Sequence, residues 1–270
     1  MKKKLWLIAA VVVLGIITAA VSFSGAAGND GKTIKVGASP VPHAELLEQV
    51  KPILKEQGIN LEIVEFEDYI QPNLVLNDKE LDANFFQTEP YLRNFMEEHK
   101  ECKLVNVAPI HIEPMGIYSR KIKSLTELAD GATISIPNDP INTGRALRLV
   151  ESAGLIKLRN GVGDTATVQD ITENPKHLKF AEVEAAQTPR TLEDVAAAVI
   201  NANYAIQVDL ISGRDALFVE PYTSPYANFI TVRIGDENRP EIKALVTALQ
   251  SEKIKNFIAE KYKGAVVAAF

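Results

Sequence analysis

Apolar positions along the chain recur in two alternating rhythms. Residues 33–38 and 61–66 are short runs rich in β-branched and apolar side chains, and they read as strands. Between them Leu46, Leu47, Val50 and Leu54 fall at helical spacing. This predicts a helix from Pro42 through Gln57, with Gly58 as its stop. The alternation continues with a helical pattern at 69–76, an extended run at 83–86, a helix at 90–99 and a strand at 104–110. Strand and helix in this order indicate an α/β sheet with covering helices.

A second unit of the same kind follows. Residues 115–119 read as extended, 125–128 as a short helical turn ending at Gly131, and 133–136 as a strand. Asp139-Pro140 is a helix start, with Asp as N-cap and Pro in the first turn. That helix is predicted to reach about Ala153, with Ala146, Leu149, Val150 and Ala153 on one face and Gly154 at its end. Beyond a turn at 161–164, the pattern gives a strand at 178–183, a helix at 192–200 and strands at 204–208 and 228–234. Helices at 240–249 and 254–262 complete it. Glu113-Pro114 and residues 221–225 carry the turn residues expected where a chain passes between lobes. The predicted division is 29–113 plus 226–270 as lobe 1, and 114–225 as lobe 2.

The N-terminus has a different character. Lys2, Lys3 and Lys4 precede an apolar run from 5 to 21, broken only by Gly15 and Thr18, and small residues dominate 22–28. Charged, apolar, small is the order of a secretory signal. The run is slightly shorter than the roughly 20 residues a spanning helix prefers. Residues 1–28 are therefore expected to be a signal peptide, with Ser24 and Ala26 suited to a cleavage point after Ala26. An uncleaved membrane anchor is the alternative. Both place the basic end inside and export the rest.

Composition narrows the function classes. Apolar residues make up 46% of the chain and charged residues 24%, as in ordinary globular proteins. The formal charge is −6, and without the three leader lysines it becomes −9. An acidic body is unsuited to nucleic acid, which needs a basic surface. Cys102 is the single cysteine, so no intramolecular disulfide or cysteine metal cluster can form. It lies in a polar stretch, where a partly covered thiol without function is expected.

Enzyme signatures are missing. The chain contains no G-x-S-x-G, H-E-x-x-H, G-x-x-x-x-G-K-[ST] or G-x-G-x-x-G. His43, His99, His111 and His177 show no metal-ligand spacing. His111 and Glu113 stand two apart on a strand, hence on one face. That pair could hold a metal, but a hydrogen-bonded structural histidine is the commoner outcome. Glu65, Glu67 and Asp68 read as a solvated edge and a helix N-terminus.

One constellation suits an amino acid. Arg145 falls in the first turns of the helix opened by Asp139-Pro140, and a guanidinium can grip a carboxylate with two hydrogen bonds. The helix N-terminus adds donors on the same side. Arg148, one turn later, is expected to be an ordinary surface salt bridge. Phe66, Tyr69, Phe85, Phe86 and Tyr91 cluster in the first unit. Phe85 and Phe86 face opposite ways on a strand, so one can be core while the other lines a cleft. Aromatic walls suit an apolar or thioether side chain.

At these residues the sequence resembles a family. Asp82-Ala83-Asn84-Phe85-Phe86-Gln87-Thr88-Glu89-Pro90-Tyr91-Leu92 is similar to the "DANFFQ…PYL" signature of the methionine-binding lipoproteins of ABC importers. Residues 113–119 resemble their "EPMGLYS" segment, and 137–147 their "PNDPTNGGRAL". Residues 201–205 and 226–228 match two further motifs, and the matches run in family order from Pro40 to Asn228. The resemblance implies a two-lobed periplasmic-binding-protein fold, type II-like, with methionine in the cleft. It also implies an ABC permease and its ATPase as partners, no cofactor and no catalysis. It places the ligand carboxylate on Arg145 and amide contacts on Asn142, Asn203 and Asn228. Tyr69, Phe86 and Tyr91 would wall the side-chain pocket.

Two positions depart from the pattern. Thr88 stands where the family often has His, which leaves open another amino acid, another methionine form or a methionine-containing dipeptide. The family is lipidated on a cysteine just after the leader, and residues 21–28 contain none.

Overall fold

The computed structural model describes residues 32–222 and 225–270, all within the unit Gly31–Phe270. The leader predicted at 1–28 lies outside the described residues. No helix among those described is long and apolar enough to cross a membrane.

Two sheets organise the chain. In the first, the order is Val267–Ala268, Leu104–Ile112, Ala227–Arg233, Ala83–Thr88, Lys32–Ala38 and Ile59–Glu65. Lys32–Ala38 runs parallel to both Ile59–Glu65 and Ala83–Thr88. The late strand Ala227–Arg233 inserts antiparallel between Ala83–Thr88 and Leu104–Ile112. The second sheet orders Phe218–Val219, Gly116–Tyr118, Ala197–Ile200, Thr133–Pro137 and Lys179–Val183. The chain thus passes from the first sheet to the second after Ile112 and returns after Val219.

Each sheet has its own core. Ile34, Val36, Phe85 and Ile230 pack with Leu46, Leu47, Val50 and Leu54 of the helix Glu45–Glu56. Those four leucine and valine positions are the stripe predicted from spacing. Ile117, Ile134, Ile136 and Val199 pack with Ala146, Leu149 and Val150 of the helix Pro140–Ser152. Cys102 is fully buried with Leu76, Leu81, Leu92 and Phe95. This corrects the partly covered thiol expected from its polar neighbours.

Two predicted elements differ. Residues 192–200 were expected to be helical, but a 3₁₀ turn Ala185–Glu193 is followed by the strand Ala197–Ile200. All four residues of that strand are buried between neighbours on both sides, and burial outweighs the helix preference of alanine. Residues 204–208 were expected to be a strand, but Ala202–Gln207 is a helix. Ala202 and Ala205, three apart, are both buried, so the helical period wins over a short alternating one.

Candidate functional site

The seven residues carried over by resemblance come together, with Thr88, the position that departs from it, among them. Tyr69, Phe86, Thr88, Tyr91, Asn142, Arg145, Asn203 and Asn228 all line one cavity. Gln87, Glu113, Asn201 and Ala202 complete its wall. The contributing residues come from the first sheet and its neighbouring loop and helix, from two helices that follow strands of the second sheet, and from the first passage between the sheets.

The aromatic end derives from the first half. Asp68 caps the helix Gln71–Asn77, accepting from the N–H groups of Ile70 at 2.7 Å and Gln71 at 2.8 Å, and this sets the loop that carries Tyr69. On the strand Ala83–Thr88, Phe85 enters the core while Phe86 faces the cavity, as strand alternation requires. Tyr69, Phe86 and Tyr91 stand with ring centroids 5.8–6.0 Å apart. Burial pushes the Tyr69 and Tyr91 phenols well above their usual range, so both stay neutral. Behind them Asn73, Asn84 and Gln87 form a buried amide network, with Gln87 Nε2 donating to Asn73 at 2.7 Å and to Asn84 at 2.9 Å. The Asn and Gln of the "DANFFQ" motif thus brace the wall.

The polar end is assembled from dispersed segments. Asp139 caps the helix Pro140–Ser152, accepting from the Asn142 N–H at 2.9 Å. Asn142 and Arg145, one turn apart, lie on the cavity side. Gly144 lies between them: a Cβ there would sit 2.0 Å from the Asp164 carbonyl oxygen, so the helix can approach that loop only with glycine. Asn201 donates through Nδ2 to Asn142 Oδ1 at 2.8 Å, and Tyr69 donates to Asn203 Oδ1 at 2.6 Å. Asn201 Oδ1 and Asn203 Nδ2 are buried without a partner. An orphaned acceptor and an orphaned donor facing one cavity mark a place built for a polar ligand.

Asn228 lies at an irregularity of its strand. It pairs with Thr88 on one side and His111 on the other, with register shifts beside it. A bulge of this kind re-aims a side chain.

Arg145 already holds a carboxylate. Its Nε and Nη2 reach Glu220, with the closest contact 2.5 Å, and Nη2 also donates to the Glu113 carbonyl at 2.8 Å. The Tyr226 ring lies beneath the guanidinium, 4.3 Å from Cζ to centroid. Burial pulls the guanidinium pKa down, but the Glu220 charge and hydrogen bond outweigh it and raise it above the usual value. Nη1 has no hydrogen bond among the described residues and is the donor left for the cavity. Arg148 makes no salt bridge among the described residues, contrary to expectation. Its Nη2 donates to the carbonyls of Val162 and Gly163, both at 2.5 Å, pinning the same loop that Gly144 abuts.

Glu113 also lines the cavity, although the sequence marks it only as a partner of His111, a lobe-crossing position and part of a matched motif. The expected pairing exists, since His111 Nε2 lies 2.6 Å from Glu113 Oε1. The strand ends at Ile112, however, and this leaves Glu113 in the passage between sheets with its carboxylate on the cavity wall. Burial pushes its pKa up, while His43, Arg145 and the Asn203 backbone N–H pull it down. Asn201 stood within a matched motif but was not assigned to the site. Its neighbour Asn203 was assigned from the same motif.

The comparisons with known proteins agree with this geometry. The NlpA lipoprotein family model matches residues 34–270. The methionine-binding lipoprotein MetQ of Bacillus subtilis is 45% identical over 269 residues, covering 98% of each chain. The D-methionine-binding lipoprotein MetQ of Escherichia coli is 42% identical over 241 residues, covering 88% of this chain and 89% of its own. A nutrient-binding protein from Burkholderia cenocepacia, solved bound to methionine, superposes with a TM-score of 0.85 at 47% identity. It covers 88% of this chain and 100% of its own. With two sheets joined by two passages around one cleft, and a family model spanning residues 34–270, the chain belongs to the NlpA lipoprotein family.

Proposed function

We propose that this protein captures methionine outside the cytoplasmic membrane and delivers it to an ABC permease and its ATPase, as a binding protein and not an enzyme. Lobe 1 is 29–113 plus 226–270 and lobe 2 is 114–225, with export directed by residues 1–28. The observation that carries this reading is the match between the cavity and a thioether zwitterion. At one end, Arg145 Nη1, Asn203 Nδ2 and Asn228 Nδ2 are donors for a carboxylate. Glu113 and Asn201 Oδ1 are acceptors for an ammonium. At the other end, Tyr69, Phe86 and Tyr91 offer rings to a sulfur. Asn142 acts mainly by orienting Asn201, and Thr88 supplies a hydroxyl on the wall. A zwitterion in a closed cleft needs each charge hydrogen-bonded, and this cavity supplies both sets.

Methionine, the ligand for which these relatives are named or with which one was solved, is consistent with this arrangement. A thermal-shift panel of L-methionine, D-methionine, the other amino acids and methionine dipeptides tests it. Ligand at about 100 times its Kd should add roughly 2.7 kcal/mol. A clear shift with another solute, beside none with either methionine enantiomer, overturns the ligand assignment. A methionine-containing dipeptide is the second reading. It is favoured by an adjoining recess beyond Tyr69 and Tyr91, lined by Asp68, Asn138, Asp139, Glu184 and Tyr204, into which a longer ligand could extend.

A further inference from the structure

Behind the cavity wall lie two histidines that touch no solvent. His43 is 1% exposed and His111 0%. His43 follows the first strand and His111 is the penultimate residue of the Leu104–Ile112 strand, yet their rings stand 4.9 Å apart between centroids. Phe85 makes edge contacts with both, at 4.7 Å and 5.2 Å. His43 Nε2 is 3.2 Å from Glu113 Oε1 and 3.2 Å from Asn228 Oδ1, and His111 Nε2 is 2.6 Å from Glu113 Oε1. Both Nδ1 atoms are buried without a partner.

We infer that His43 and His111, as neutral imidazoles carrying their proton on Nε2, are positioning residues that keep Glu113 ionised and Asn228 turned toward the ligand. This rests on the reading of Glu113 as the partner of the ligand ammonium.

The tautomer follows from where partners exist. A neutral imidazole has one N–H. Placing it on Nδ1 would bury an unpaired donor and set the Nε2 lone pair against a carboxylate oxygen. Placing it on Nε2 lets His111 donate to Glu113 Oε1, brings the positive end of the His43 N–H dipole within 3.2 Å of the same oxygen, and leaves Oε2 for the cavity. The His43 N–H donates to Asn228 Oδ1, which fixes that amide with Nδ2 toward the ligand. Burial holds His43 down at about 4 and His111 at about 3, so neither is charged at neutral pH.

The same three residues are the group among those described that could hold a metal ion. A metal on the two Nε2 atoms would force the protons onto Nδ1, and metal-bound histidines almost always donate that proton to an acceptor. Neither ring has one, so the hydrogen-bonded arrangement fits better.

The other groups facing Glu113 are the Arg145 charge, the Asn203 backbone N–H, and the neutral phenols of Tyr69 and Tyr262. Without the imidazole donors, burial would move Glu113 toward its neutral acid, which cannot balance an ammonium.

Carboxyl-carbon NMR titration of Glu113 in the intact protein, with nitrogen NMR of the imidazoles, tests this directly. Both rings should show protonated Nε2 and bare Nδ1. His111→Leu should raise the Glu113 titration point, and His111→Gln, which keeps a donor near the Nε2 position, should return it toward wild type. Methionine affinity should fall about tenfold or more in His111→Leu, with recovery in His111→Gln. Its loss on acidification should also begin at a higher pH in the leucine variant. Protonated Nδ1 atoms, or a Glu113 titration unmoved by both variants, would overturn the inference. If His111→Leu fails to fold, the wild-type tautomers and the His111→Gln titration still decide. Glu113→Gln separates the two levels. Unchanged methionine affinity in that variant removes the ammonium reading and this inference with it. Weakened affinity beside unmoved titrations in the histidine variants removes this inference alone.

Discussion

The two ends of the cleft are built by different means. The aromatic end comes from residues 69–91, a nearby stretch of chain braced by its own amide network. The polar end draws on residues 113, 142, 145, 201, 203 and 228, from the first sheet, two helices that follow strands of the second, and a passage between the sheets. Rings offer area and tolerate several side chains. Buried donors and acceptors must each find a mate, so they discriminate steeply. The contrast predicts that the polar end decides whether an amino acid binds, and the aromatic end decides which one.

The largest expected breach is Arg145→Ala. It removes the proposed carboxylate donor and leaves the largely covered Glu220 without its partner, which costs about 3–5 kcal/mol of stability. Methionine binding should vanish in calorimetry, and chemical denaturation should show the stability loss. Arg145→Lys should keep more stability than affinity, because an ammonium lacks the planar fork. Next is Gly144→Ala, whose methyl collides with the Asp164 carbonyl. Overpacking of this kind costs about 1–3 kcal/mol. It should displace Asn142 and Arg145 while the aromatic wall stays in place, so methionine affinity should fall more than the Tyr69–Phe86–Tyr91 geometry changes in a crystal structure.

Acidification sharpens the contrast without mutation. His43 and His111 titrate near 6.5 when unfolded but at about 4 and about 3 in the fold. Between these limits the unfolded chain binds more protons, so their stability contribution, complete above pH 6.5, is lost as pH falls toward 4 and 3. Glu113, raised by burial, has the opposite sign: its contribution is present below the ordinary carboxylate range and is lost as pH rises through its folded value. The melting temperature should therefore drop on going from pH 6.5 to 4. The drop should be shallower in His111→Gln, which has no titrating ring.

Smaller effects belong to the aromatic end. Phe86→Leu should weaken methionine by up to about tenfold and norleucine by less, since sulfur–aromatic contacts contribute about 0.3–1.5 kcal/mol. A larger loss for norleucine would refute the thioether role. Smallest of all, Arg148→Ala should leave methionine affinity unchanged, because its guanidinium serves loop carbonyls.

The same division governed how much the sequence disclosed. The helix Pro140–Ser152 was legible from its Asp-Pro start, and Phe85 and Phe86 were legible from strand alternation. Local signals of this kind need no knowledge of distant residues. The strand Ala197–Ile200 was not legible, because its alanines favour a helix until two neighbouring strands bury it. Glu113 was half legible. Its spacing from His111 was visible, but His43 and Asn228 meet it only through the order of the first sheet. The Glu220 partner of Arg145 gave no local signal at all.

The two orphaned amide atoms, Asn201 Oδ1 and Asn203 Nδ2, also bear on traffic through the importer. Shutting the cleft with nothing inside leaves both dry, at about 1–3 kcal/mol each. An empty carrier is thereby biased against the shut shape, roughly tenfold or more per atom at the upper end. A transporter that recognises that shape would then spend few futile cycles on carriers without cargo.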